Sequence, residues 1–364
     1  MDIIIAGSDA IRTYRIARQI DAPLRVEPTT EEPSDFSYGT SARFRSTVLS
    51  PLETLGIMAP ECTVHLRFPS LEARKRLVRT HCHVCRATLP KGSCWRIVPE
   101  SRALAKELLA NGVRLFVDSP QLCVVHAAAQ AQKSCSPGSL TKRIVPMARS
   151  IALASELAGT FSLDPTDPRK SRPTYNIEPL LGESDLRDFL ERVRGADGLK
   201  AARIAGETIV GGQGSPAEVA LYAGMVLRPK LGGFHLEKPT ANRALDPNSQ
   251  LRELLKHDRI TPDFYWERYG LVIEYDGGDH FSVAGAREDR RRVFDYQNLQ
   301  LVVLPALAED MRSVDAFDSF IRSVERVMER TDGLKLRRRI NKIIADKEAR
   351  LCRSLLLSGI QTAG

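Results

Sequence analysis

The segment ITPDFYWERYGLVIEYDGGDHF, residues 260–281, sets Asp263, Glu274 and Asp276 among Phe, Tyr, Trp, Val and Ile. Acids are depleted from such strands because taking a carboxylate out of water costs free energy. Their presence asks for a compensating cation. A turn of about four residues, Glu267 to Gly270, makes the segment a hairpin with Trp266 opposite Leu271 and Asp263 opposite Glu274. Alternation gives Asp263, Tyr265, Val272, Glu274 and Asp276 one face; Phe264, Trp266, Leu271, Ile273 and Tyr275 share the other, a core face. A one-residue slip would carry the acids into that core, so burial itself selects the register. Carboxylates that face each other destabilise a sheet by up to about 1 kcal/mol unless something cationic lies between them. One such cation is Mg²⁺ or Mn²⁺, which takes oxygen ligands from two or three carboxylates. The other is an arginine from a neighbouring helix, such as Arg287, Arg290 or Arg291.

Further elements must bring their groups to this hairpin. Ser215-Pro216-Ala217-Glu218 opens a helix, with Ser215 able to cap it and Pro216 suited to its first position. Glu218 can serve an acidic site, or it can close an S-x-x-E capping box by reaching back to the cap N–H. His280 titrates near neutral pH and can act as acid or base, or be a plain turn histidine. AREDRRRVFDYQNL reads as a helix on which Arg290, Arg291 and Arg292 are either a solvated face or phosphate contacts. A strand, LQLVVLP, and a helix from about Glu309 follow.

Pro262-Asp263, the later Glu274-Tyr275-Asp276-Gly277 with His280 behind it, and Ser215-Pro216-Ala217-Glu218 on a preceding helix together resemble the PD-(D/E)XK nuclease superfamily. More narrowly, the pattern looks like the branch similar to very-short-patch-repair endonucleases, a domain that also forms the C-terminal half of some abortive-infection antitoxin-like proteins. The likeness spans roughly residues 213 to 306. It implies a restriction-endonuclease-like α/β fold, a mixed sheet flanked by helices, that hydrolyses DNA phosphodiester bonds with Mg²⁺ (or Mn²⁺). It also implies Asp263 and Glu274 as metal ligands and Glu218 as the helix acid that completes the site, with Asp276 and His280 in the catalytic set. Where the general motif has a lysine, this sequence has Asp276; members of the branch often carry an acid or histidine there. The alternative is a non-catalytic antitoxin-like regulator that binds DNA or a partner protein through the same fold. The missing lysine favours that alternative, and the retained acids oppose it.

At 364 residues the chain is long for one core, and its 53 Lys+Arg against 45 Asp+Glu give a net charge of +8, compatible with a polyanionic partner but not demanding one. No run of about 18 apolar residues suggests a membrane span, and the short IIIA near the start lacks the flank and length of a signal peptide. An odd number of cysteines, seven, argues for reduced thiols and a cytoplasmic protein. Residues 1–163 read as a separate N-terminal α/β domain: an opening strand and a helix capped by Ser8, then strand-like TVHLRF, CHVC and RLFV among helical ALAKELLA and CVVHAAAQAQ. Its stretch VDSPQLCVVHAAAQ is similar in layout to the antitoxin-like proteins, which implies recognition of a target or protein partner. Residues 164–212, with Pro165, Pro168 and Pro173, read as a linker and a bridging helix whose Leu186, Phe189, Leu190 and Val193 share one face. The nuclease-like unit would be 213–330, with a short GGFHLE strand after its first helix. The tail 331–364 reads as a basic amphipathic helix: Arg337, Arg338 and Arg339 either meet DNA or form the solvated side of a helix that packs through Ile340, Ile343, Ile344 and Leu351. Cys82 and Cys85, with Cys94 further on, have spacing that invites zinc, though the same alternation suits buried thiols in a strand. GGQG lacks the Lys and Ser/Thr of a phosphate-cradling loop, and nothing suggests a Ser/His/Asp triad.

Overall fold

The computed structural model describes residues 1–74, 77–246, 252–253, 255–277 and 283–361, with the side chains of residues 283–290 left outside that description. The chain is mixed α/β with two larger mixed sheets. Strand β1 (Asp2–Ile5) is buried at every position, the signature of a strand covered on both faces. It runs parallel to β6 (Arg114–Asp118) and antiparallel to β3 (Val64–Phe68). With β2 (Leu24–Pro28), β4 (Thr80–Val84) and β5 (Cys94–Pro99) the order is β2-β5-β6-β1-β3-β4. Helix α1 (Gly7–Ala17) starts earlier than the expected Ser8 cap. Gly7 turns the chain out of β1 at a φ of 58°, Ala6 is the N-cap, and Ser8 falls inside the first turn.

Short helices α2 (Ser41–Phe44) and α3 (Ser50–Thr54) precede β3, and α4 (Arg102–Ala110) precedes β6. Ser119 caps α5 (Pro120–Lys133), with proline at the first position, as helix-start chemistry requires. Helix α6 (Leu140–Ala158) is buried along most of its length. A two-residue ladder, β7 (Phe161–Ser162) with β8 (Thr174–Tyr175), occupies the proline-rich segment. The bridging helix forms as α7 (Glu183–Arg192), and Leu186, Phe189, Leu190 and Val193 are all buried. A second helix, α8 (Leu199–Thr208), occupies the rest of the segment expected as linker and packs on α6.

Helix α9 (Pro216–Val226) is buried on every side from Glu218 onward, as its uniformly apolar sequence requires. The expected GGFHLE strand is not one. Gly232 and His235 have φ of 100° and 53°, incompatible with a pleat. The segment instead turns back along α9, and the N–H groups of Phe234, Leu236 and His235 satisfy the carbonyls of Gly224, Met225 and Leu227 at the helix end. A small strand, β9 (Thr240–Ala241), follows at the edge of the second sheet, whose order is β12-β11-β10-β9. Here β10 (Phe264–Trp266) and β11 (Leu271–Asp276) are antiparallel, and β11 is parallel to β12 (Val302–Leu307) through the crossover helix α10 (Val283–Asn298).

Helix α11 (Val314–Asp332) is followed not by one basic helix but by two, α12 (Leu334–Ala345) and α13 (Lys347–Gln361). The break falls at Asp346, whose carboxylate accepts the N–H groups of Glu348 and Ala349 and so starts a new helix. One hydrophobic cluster runs from Ile3 through α6 and α9 to Ile360, and α13 packs on both α6 and α9. Among the described residues no helix is long and apolar enough to cross a membrane, and all seven cysteines are free thiols.

Candidate functional site

The turn between β10 and β11 is a short 3₁₀ segment, Glu267–Tyr269, closed by Gly270 at a left-handed φ of 54°. It sets the register with Trp266 opposite Leu271 and Phe264 opposite Ile273, as the alternation predicts, and continuing it brings Asp263 against Glu274. Phe264, Trp266, Leu271 and Ile273 are buried in the main core. The other face is less polar than expected, because Val272 and Tyr265 join Tyr296 and Ile260 in a second, small apolar cluster. The acids therefore sit at the rim of an apolar patch rather than on an open polar surface.

Three carboxylates converge there from three elements. Asp263 accepts the Tyr275 N–H through Oδ2 at 2.7 Å. Glu274 accepts a short hydrogen bond from the Tyr296 hydroxyl of α10, and Arg292 Nη1 of the same helix stands 3.7 Å from its Oε2. Glu218, in the first turn of α9, is buried and accepts Gly214 N–H and Ser215 O–H at 2.9 Å each, while Ser215 Oγ accepts the Glu218 N–H at 3.2 Å. The capping box forms, shifted by one residue to Gly214, and the same carboxylate faces the hairpin acids.

Burial, and then the neighbouring charge of Asp263, push both Glu218 and Glu274 up to about 7. Burial also raises Asp263, offset in part by the Tyr275 N–H and Arg292. Three acids in one low-dielectric spot cannot all ionise without a cation. The protein supplies part of one in Arg292, a neighbour of the arginines expected from the sequence. Arg292 is half exposed, so its pairing is weak by the standard of surface ion pairs.

The remaining expected site residues distribute as follows. Asp276 ends β11 and is exposed. His280 lies outside the described residues, as do the side chains of Arg287 and Arg290; Arg291 is exposed and has a partner. Arg337 pairs with Glu329 and stands 3.5 Å from the buried Glu325 carboxylate. Arg339 donates to the His235 carbonyl at 2.7 Å and the Phe234 carbonyl at 3.4 Å. Of the three tail arginines, these two dock α12, and Arg338 is exposed. The spacing of Cys82 and Cys85 does not assemble a zinc site with Cys94, because three residues along an extended chain reverse the side-chain direction. Cys82 pairs in register with the core residue Leu66 and packs on the core side, whereas Cys85 and His126 line a cavity on the other side.

Among the described residues no group of three His, Cys, Asp or Glu side chains is spaced as a formed metal site. The donor set of the three acids is nonetheless all hard oxygen, the type that Mg²⁺ and Mn²⁺ take. Gln213, next to Gly214 in the chain, is fully buried with neither amide atom partnered, and Nδ2 of Asn242, whose backbone N–H donates to the Asp263 carbonyl, is also unpartnered. Unsatisfied buried polar atoms in segments that border the acids fit a site that completes its bonding with a ligand. No protein-family model, curated protein or solved structure matches the chain.

Proposed function

We propose that the C-terminal sheet is a restriction-endonuclease-like domain of the PD-(D/E)XK type that hydrolyses DNA phosphodiester bonds with Mg²⁺ or Mn²⁺. The observation that carries the reading is the convergence of Glu218, Asp263 and Glu274, with Glu218 and Glu274 raised by burial and mutual repulsion to titrate at about 7. Asp263 and Glu274 would hold the ion, which when bound would offset the charge that builds on the phosphate under attack. The chain's own part is positional. The Tyr275 N–H fixes Asp263, Tyr296 fixes Glu274, and Gly214 with Ser215 fixes Glu218. Arg292, at the open side of Glu274, is free in reach to meet a phosphate oxygen once the ion takes over the carboxylate.

A second reading, a non-catalytic antitoxin-like regulator that binds DNA or a protein, draws on Asp276 in place of lysine and on the internal hydrogen bonds that already occupy both Glu218 oxygens. Incubating the protein with plasmid and single-stranded DNA in Mn²⁺, Mg²⁺ or EDTA separates the two. On the nuclease reading, cleavage needs metal and is lost in Glu274→Ala while the circular dichroism spectrum is unchanged. Metal-dependent cleavage that survives Glu274→Ala moves the site elsewhere, and DNA binding with no cleavage in any metal selects the regulator.

A further inference from the structure

On the far side of the molecule's sequence from these acids, the parallel pair β3 and β4 sets His65 beside His81 and Arg67 beside His83. Alternation puts those four side chains on one face, and the imidazoles of His65, His81 and His83 cluster with ring centres 4.8–5.0 Å apart, His65 stacked on His81 and His83 tilted against both. Cys85, just past β4, points to the same side. Together with His126 on α5 it lines a cavity of about 600 Å³. His126 Nδ1 stands 3.1 Å from Oδ2 of the wholly buried Asp118, close enough for an ion pair though off the line of an N–H···O bond. The Cys85 thiol faces His126 across this cavity, near enough for each to shift the other's titration. Asp118 is itself held by Arg67 Nε at 2.5 Å, and Arg67 Nη2 goes on to Cys94 Sγ at 2.7 Å.

A nucleophile on a base, and the base on a buried carboxylate, is the arrangement by which thiol acyl-transfer sites are recognised whatever the fold. We propose that Cys85, His126 and Asp118 form a second active site of this protein, a thiol nucleophile for acyl substrates that carry an anionic group. The preference for an anion comes from the cavity lining, where Arg86 and Lys133 stand with the histidines against a single acid, Asp197.

The surroundings tune the pair in the direction that this chemistry needs. Burial alone would raise the Cys85 thiol, but His126, the Ala87 N–H and Arg67 together bring it below the ordinary thiol range. Burial would lower His126, but Asp118 and Cys85 hold it up at about 9. The nearby His83 is pushed down to about 4 by burial and by the other imidazoles, so it lines the cavity uncharged.

The reaction balances with water alone. The Cys85 thiolate bonds to the carbonyl carbon as the carbonyl π pair moves to oxygen. Collapse of the adduct breaks the bond to the leaving group, which departs with its electron pair and takes the proton from His126. Water then gives a proton back to His126 and adds to the thioester. The thiolate is expelled, and the net change is acyl-X plus water to carboxylic acid plus H-X.

The test uses the full chain and takes the exposed Cys62 as internal reference. Alkylation followed residue by residue by mass spectrometry should label Cys85 about tenfold faster than Cys62 at about pH 6, with iodoacetate outpacing iodoacetamide at Cys85 only. The p-nitrophenyl half-ester of succinic acid should give a burst of about one nitrophenol per chain that Cys85→Ser removes. His126→Gln should return the pH midpoint of Cys85 alkylation to the ordinary thiol range. Equal labelling of Cys85 and Cys62 in the wild type, or a burst that persists in Cys85→Ser, overturns the proposal. A fast Cys85 with no preference for iodoacetate overturns its anionic substrate class.

Discussion

At the residue scale, the decisive question is what neutralises Asp263 and Glu274. Asn in place of Asp263 keeps an oxygen for the Tyr275 N–H and removes one of the repelling charges, worth up to about 1 kcal/mol. Because Arg292 is half exposed, little is lost when its attraction weakens. Metal-free Asp263→Asn should therefore melt no lower than wild type, while losing most of the stabilisation that millimolar Mn²⁺ gives wild type. A clearly lower melting temperature in EDTA, with no Mn²⁺ response in either protein, would return the acids to an arginine-paired network. The pH dependence has a definite sign. Glu218 and Glu274 have folded values of about 7 against an ordinary 4.5, so the stability that their protonated forms contribute is complete below about pH 4.5 and lost as pH rises through about 7. A dication must displace those protons, and its stabilising effect should grow across the same window. Melting curves with and without Mn²⁺ from about pH 5 to pH 8 check this, and a metal shift that does not vary with pH contradicts it.

At the scale of elements, the basic tail is a case where a charge run proves to be mostly internal wiring. Arg337→Gln leaves the buried Glu325 carboxylate without its cation, and Arg339→Gln removes donors from two carbonyls at the turn after α9. Each should cost about 1 kcal/mol by urea denaturation, whereas Arg338→Gln should stay within about 0.5 kcal/mol. If the tail meets DNA, Arg338→Gln alone should reduce the salt dependence of affinity by about one unit. The elements that the sequence makes legible are those specified locally. The hairpin register follows from turn length and alternation, the start of α9 from Ser215 and Pro216, and the bridging helix from Leu186, Phe189, Leu190 and Val193. What was not legible depends on distant partners. GGFHLE is apolar enough for a strand, but it is used to close the carbonyl end of α9. Cys85, His126 and Asp118 meet only through the pairing of β3 with β4 and the packing of α5, the thiol and the imidazole lying far apart in the chain. The alternation of THCHVC, which separates Cys82 from Cys85, was the one signal available in advance.

At the scale of the whole molecule, the last helix is a keystone between segments far apart in the chain. Gly359 of α13 lies so close to α6 that an added Cβ would come within 2.8 Å of the Ala148 methyl. Gly359→Ala should destabilise the protein by about 1–3 kcal/mol through overpacking, read by urea denaturation. Because one apolar cluster joins both halves, the loss should appear equally in probes of Trp95 and Trp266. A change confined to Trp266 would mean that the halves unfold separately. The same helix sets a timetable for synthesis. Arg143 of α6 and its partner Glu348 are 205 residues apart, and at ribosomal speeds the interval between them is roughly 10–40 s. Throughout that interval the nascent chain carries the apolar flank of α6 uncovered, a long exposure for a surface that holdase chaperones bind, and a ribosome stalled before α13 should accumulate them.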